Sequence, residues 1–204
     1  MKLHYFLIPL GIIAITALAI EVYQANSAPL PQGFPSPTSA GVIEVKTYPA
    51  YRAATYTYKG ELSKAANQAF YPLYQHISSN EIPMTAPVET RYPTTTLTEV
   101  EDTGLAKVSF LYRSKDTSTK TIADEIVIED IPSMTVVSLG CQGSYSYDSY
   151  QKGLAQLKEW LNRHQNYQVT DSPRRFFYDG PYVPDALKRS EIQIPIQKTV
   201  TSQP

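Results

Sequence analysis

Three histidines, one cysteine and scattered serines are the side chains from which a catalytic or metal centre would have to be built. His4 lies in an apolar N-terminal run, which leaves His76 and His164. Each falls near the C-terminal end of an expected helix, where the dipole mildly favours a cation. At about 100° per residue, His76 lies at the edge of its helix's apolar stripe, on the side of Ala65 and Ala69. It reads either as a boundary histidine bonded to a neighbour or as a contact to a bound ligand; His164 reads as a boundary residue. Two isolated histidines without a nearby Asp/Glu motif do not make a zinc site. A lone Cys141 excludes an internal disulfide, a CxxC redox pair and a Cys-rich zinc site. No GxSxG elbow surrounds a serine, and no glycine-rich phosphate loop is present. The acidic groups Glu129-Asp130 and Glu99, Glu101, Asp102 read as solvated loop charge.

Binding is better represented than catalysis. Arg174-Arg175 and Lys188-Arg189 flank the last expected hairpin, as ordinary surface charge or as a clamp for carboxylates. Ala65, Ala66 and Ala69 interrupt an otherwise large apolar helix face. They serve core packing, or they open a groove for a flat apolar ligand, with Tyr71 and Tyr74 at its rim. The net charge of −1 gives no electrostatic case for nucleic acid.

The elements that would position these groups follow from periodicity. Strand character runs over 42–58, bent at Tyr48-Pro49-Ala50. A helix spans 61–80, with Leu62, Ala65, Ala69, Phe70, Leu73 and Ile77 among its apolar positions; Pro72 should kink or split it. Strands at 88–92 and 106–113 form a hairpin. The order then repeats: strand 125–129, a bend at Ile131-Pro132-Ser133, strand 135–140, helix 149–165, and strands 175–179 and 191–196. Ile43-x-Val45…Tyr48-Pro49 parallels Ile126-x-Ile128…Ile131-Pro132 at a displacement of 83 residues, and Gly60 and Gly143 keep the same offset. The pattern is an old duplication in an α+β domain, a curved, mostly antiparallel sheet carrying two helices.

The ends differ in composition. Lys2 followed by the apolar run Tyr5–Ile20 reads as a signal peptide or N-terminal membrane anchor within residues 1–28. Either way the rest is exported, to a periplasmic, lumenal or extracellular space, and tethered if the segment is uncleaved. Residues 29–40, with four prolines, read as a linker without a core. The folded domain spans 41–197, and 198–204 is a polar tail.

One uncharged stretch, Ile82-Pro83-Met84-Thr85-Ala86-Pro87-Val88, reads as a structural corner or a binding-site wall. It resembles the signature of the SOUL/haem-binding protein family. So do the opening Ile43-Glu44-Val45-Lys46-x-Tyr48-Pro49-Ala50-Tyr51 and the ending Phe177-Tyr178-Asp179-x-Pro181, followed by Lys188-Arg189-x-Glu191-Ile192. The resemblance covers about residues 41–197. It implies a duplicated βαββ fold, a distorted β-barrel flanked by two helices and similar to bacterial effector-binding domains. It also implies non-covalent binding of haem or another tetrapyrrole, without enzymatic activity, in a cleft between 65–74 and 181–189. The expected contacts are Ala65, Ala69, Phe70, Leu73, Tyr74 and His76, with Lys188 and Arg189 on the propionates; His76 is a weak candidate axial ligand. The alternatives are a binding module for another small apolar effector or a protein partner, and a hydrolase on the related fold. The hydrolase would need a carboxylate in the cleft, and Glu61 and Glu81 lie at the helix ends.

Overall fold

A computed structural model describes residues 28–199. The strands are β1 (Ile43–Tyr48), β2 (Tyr51–Glu61), β3 (Val88–Arg91), β4 (Thr103–Leu111), β5 (Ile126–Ile131), β6 (Met134–Gln142), β7 (Tyr167–Val169), β8 (Arg174–Phe177) and β9 (Arg189–Lys198). Helix α1 (Ala65–Ser79) follows β2, and α2 (Tyr147–Arg163) follows β6. The strands form one sheet in the order β1-β6-β9-β8-β3-β4-β2-β5, with β7 added against β9. All strand pairings are antiparallel.

That order reads as a palindrome once equivalent strands are matched. Exchanging β1 with β5, β2 with β6, β3 with β8 and β4 with β9 returns the same sheet. The duplication expected from the repeat is therefore carried by the hydrogen-bonding pattern itself. The two bends face each other: Tyr48 pairs with Met134 and Tyr51 with Ile131, so the register runs unbroken past both prolines. The distorted barrel is realised as an open sheet, with β1 and β5 at its ends.

Both helices lie on one face of this sheet. Period-2 alternation sends Ala54 and Tyr56 of β2, Val108 and Phe110 of β4, and Ile192, Ile194 and Ile196 of β9 into the core beneath them. Ala65, Ala69 and Leu73 of α1, and Tyr150, Leu154 and Leu157 of α2, complete that core. Burying each leucine contributes about 1.5–3 kcal/mol before entropy is counted. Ser146 caps α2, its side chain accepting from Ser149 N–H. Pro72 does not split α1, which is continuous from Ala65 to Ser79; packing on the sheet outweighs the lost donor.

The opposite face is covered differently. The proline-rich stretch expected to be a coreless linker is semi-extended but packed, lying across the sheet as a strap. Phe34 sets its ring edge-on against Tyr48 at 5.0 Å and Tyr51 at 5.2 Å. Gln32 N–H donates to Arg113 O (2.9 Å), Ala86 N–H to Pro29 O (3.1 Å) and Lys46 Nζ to Ser36 O (2.8 Å). A Cβ on Gly140 would strike the carbonyl oxygens of Thr38 and Ser39, so a glycine is what admits the strap there. The apolar segment Met1–Ile20 and its reading as leader or anchor lie outside the described residues. Among the described residues no helix is long and apolar enough to cross a membrane.

Candidate functional site

Helix α1 contains no Asp, Glu, Lys or Arg. Its buried side is explained by the core, but its outer side is not polar either. Phe70 is 43% exposed, Tyr71 65% and Tyr74 51%; among the described residues these are the exposed large apolar side chains that lie on an α-helix. They are held in place. Phe70 meets the buried ring of Phe110 edge-on at 5.3 Å, and Tyr74 stacks on Phe70 at 6.1 Å with the rings 9° apart. Tyr71 accepts a hydrogen bond from Gln75 Nε2 (2.8 Å). The result is an uncharged aromatic platform, anchored on Phe110 and open to the outside. Contiguous exposed apolar surface of this kind marks an interaction site more often than isolated apolar residues do.

The equivalent helix is ordinary. α2 carries Lys152 paired with Asp148 (2.8 Å) and Arg163 near Glu159 (3.7 Å), both at i,i+4 spacing on exposed positions. The two helices occupy matching places in the duplicated fold, so the platform on α1 is not a requirement of the architecture.

The structure separates the residues expected to form one cleft. Phe70 and Tyr74 are on the platform. Ala65, Ala69 and Leu73 are each fully buried beneath α1. The space left by the alanines is filled, because the sheet offers small residues in turn, Ala54 and Ala106, and the helix settles onto them. Lys188 and Arg189 belong to the other half. Lys188 pairs with Asp185 (2.6 Å) and lies over the Tyr145 ring; Arg189 pairs with Asp179 (2.7 Å).

His76 is 4% exposed, with Nε2 2.8 Å from the Tyr112 hydroxyl and the two rings nearly parallel. Burial lowers its pKa, which keeps the ring neutral at neutral pH. Burial pushes Tyr112 up to about 12, against the opposing pull of Arg52. His76 is thus a core histidine, buried with its Nε2 engaged by Tyr112. No group of three or more His, Cys, Asp and Glu that could hold a metal occurs among the described residues.

The residues missed by sequence reasoning are on the strap face. Arg174 and Arg175, read as surface charge or clamp, are each 1% exposed. Arg174 Nη1 donates to Glu89 (3.0 Å) and to the Tyr51 hydroxyl (3.0 Å), and its Nε to Gln193 (2.8 Å). Arg175 faces the other way and donates to Ser190 Oγ and to Ser146 O (2.9 Å) at the start of α2. Glu191, fully buried, accepts from Thr38 N–H, Lys46 Nζ (2.9 Å), Tyr48 Oη (2.9 Å) and Gln193 Nε2. Burial alone would raise the Glu191 pKa, but the Thr38 N–H and Lys46 outweigh it and hold the carboxylate below its ordinary value.

The profile of the SOUL heme-binding protein family matches residues 36–195 of the chain. The chain belongs to this family. No curated protein matches it. Among solved structures, the fold is similar to the crystal structure of the EcmrR C-terminal domain, at 20% identity and a TM-score of 0.63, covering 78% of this chain and 98% of that one. It is equally similar to EcmrR in a DNA complex, where the chain spans only 58% of the length of its counterpart. An uncharacterized conserved protein from Listeria innocua gives 10% identity and a TM-score of 0.59, covering 78% and 94%. At these identities the likeness is one of fold.

The SOUL signature stretch has a visible structural use. Ile82 reaches into the core under the helices, while Ala86 joins the cluster of Tyr48 and Phe176 on the strap face. Thr85 Oγ1 donates to Leu111 O, and the Ala86–Pro87 peptide is cis. The stretch is a corner that grips the strap. For a SOUL protein's heme, the residues present on α1 suit the flat apolar faces of the macrocycle; ligation of the iron by His76 does not fit its engaged Nε2.

Proposed function

We propose that the protein holds haem or a related tetrapyrrole, non-covalently, on the outer face of α1, and buffers or carries it without acting on it. The observation that supports this reading is the uncharged helix with Phe70, Tyr71 and Tyr74 exposed together on its outer face. Family membership supplies the ligand class. Burial of apolar surface against the rings would provide most of the affinity, at roughly 25 cal/mol per Å² before association costs. A haem brings its own redox-active iron; the residues of α1 supply contact and orientation. The basic residue and apolar run of the N-terminal segment favour an exported location.

The test is a titration of the full-length chain with hemin and with metal-free protoporphyrin, followed by the Soret band and by quenching of Trp160. Saturable binding of both is expected. Replacing Phe70 and Tyr74 together by serine should weaken both about tenfold, which corresponds to 1.4 kcal/mol, and leave the circular dichroism unchanged, since both side chains are exposed. Undiminished affinity in that variant would remove α1 as the site. Binding of hemin alone would mean that iron ligation, not the platform, carries the affinity.

A further inference from the structure

A second site lies on the strap face, away from α1. Beside the strap, a cleft of about 350 Å³ opens between β2, β3, β5 and β8. This is at the small end for a ligand site, too small for a tetrapyrrole. Its walls are partly apolar: Tyr51 and Ile131, from the cluster against which Phe34 packs, with Pro132, Met134 and Pro195. Its floor holds Glu89 and Arg174, and its side Arg91.

The hydrogen bonding around this cleft does not balance. Every carboxylate lining it already accepts: Glu89 from Tyr51 and Arg174, Glu129 from Arg91 and Lys107, Asp130 from both Nε and Nη2 of Arg52, and Asp171 from Ser172 N–H. Two donors are left over. Arg174 Nη2 and Arg91 Nε are buried and without a hydrogen-bond partner, the nearest carboxylate oxygen to Arg91 Nε being Glu89 Oε2 at 3.9 Å. A buried donor left unpaired is costly, and guanidinium donors are best satisfied by a carboxylate. The groups left unpaired are therefore donors, on two arginines, in a small cleft with partly apolar walls whose lining also carries four carboxylates.

We propose that this cleft binds a small organic acid, its carboxylate taken by Arg91 and Arg174 and its apolar body lying against Tyr51, Ile131 and Met134. Asp171 stands at the exposed rim with no ion pair among the described residues, so its charge opposes entry of an anion. The site is independent of the tetrapyrrole reading, since it shares no residue with α1.

The full-length chain, without any tetrapyrrole, should be titrated with benzoate while the arginine Nε–H signals are followed by ¹H–¹⁵N NMR. Saturable shifts of the Arg91 and Arg174 signals are expected at millimolar benzoate. The neutral isostere benzamide should bind about tenfold more weakly, the loss expected when one charge-assisted hydrogen bond becomes neutral. Asp171→Asn, a rim change away from the core, should tighten benzoate. Arginine signals that do not move overturn the site. Equal binding of benzamide overturns the carboxylate, and acetate binding as well as benzoate overturns the apolar wall and leaves an adventitious anion only.

Discussion

The two faces of the sheet are both buried, yet by opposite means. Under the helices the filling is aliphatic and aromatic, and its stability comes from area removed from water and from close packing. Under the strap it is a network of Glu89, Arg174, Gln193, Glu191, Lys46 and the Tyr48 and Tyr51 hydroxyls, sealed by the ring of Phe34. An apolar face tolerates approximate complementarity. A charged one does not, because each member lost strands its partner in low dielectric. The strap face is therefore the more fragile surface, although the helix face contains more of the core.

The sharpest way to separate the faces is to remove one residue from each. Glu191→Ala leaves Lys46 without its buried partner and should cost about 3–5 kcal/mol. Leu157→Ala, on the helix face, should cost about 2–5 kcal/mol by cavity formation. Urea denaturation at several pH values distinguishes them. The Leu157 penalty should be flat with pH, whereas the Glu191 penalty should shrink as acid protonates Glu191 in the wild type. A flat Glu191 penalty would mean that its charge is not what matters there.

Acid alone should act on the same face. Glu191 and Glu129 are both held below their ordinary values. For Glu129, burial opposes the shift, and the bonds to Arg91 and Lys107 win. A lowered folded-state pKa means that the unfolded chain binds the proton more readily. The stabilisation is thus present above the unfolded carboxylate pKa and is lost as pH falls through the folded value. Thermal melts between neutral pH and the acid range should show that decline, with Phe34→Ala lowering the melting temperature throughout as water reaches the network.

The smallest effect belongs to the helix face. His76 is buried neutral, so its folded pKa is below the unfolded value of about 6.5. Stability should fall modestly as pH drops below that value, since only the unfolded chain takes up the proton. His76→Phe should remove this slope while losing the bond to Tyr112, a cost of about 1 kcal/mol. If the slope persists in the variant, another group is responsible.

Much of the fold was legible because it is written in local patterns. The bends at Pro49 and Pro132, the 83-residue displacement and the stripes of both helices fall where the sequence places them. The strap face was not legible, for a physical reason. Glu191-Ile192-Gln193-Ile194 alternates as a strand with one solvated side does, and nothing nearby in sequence says that Thr38, Lys46 and Tyr48 will close over the polar side. The available signal was Phe34, with Leu30, the two large apolar residues in a stretch otherwise made of proline, glycine, alanine and uncharged polar residues. On α1, the alanines were recognised as special, but their meaning depended on Ala54 and Ala106 arriving beneath them. Phe70 and Tyr74, read with the apolar stripe and the rim of a cleft, lie on the outside instead, because the narrow buried face ends at Ala65, Ala69 and Leu73.

A sheet that maps onto itself also bears on how such a platform could arise. When a unit is present twice in one chain, the second copy maintains what the pair still needs while the first drifts. Here α2 has surface ion pairs and a cap, and with them the water-facing character of a generic helix. α1 has none of these, and in their place carries an exterior that water wets poorly. Two identical units paired by symmetry would carry the same surface on both helices; two halves within one chain need not, and here they do not.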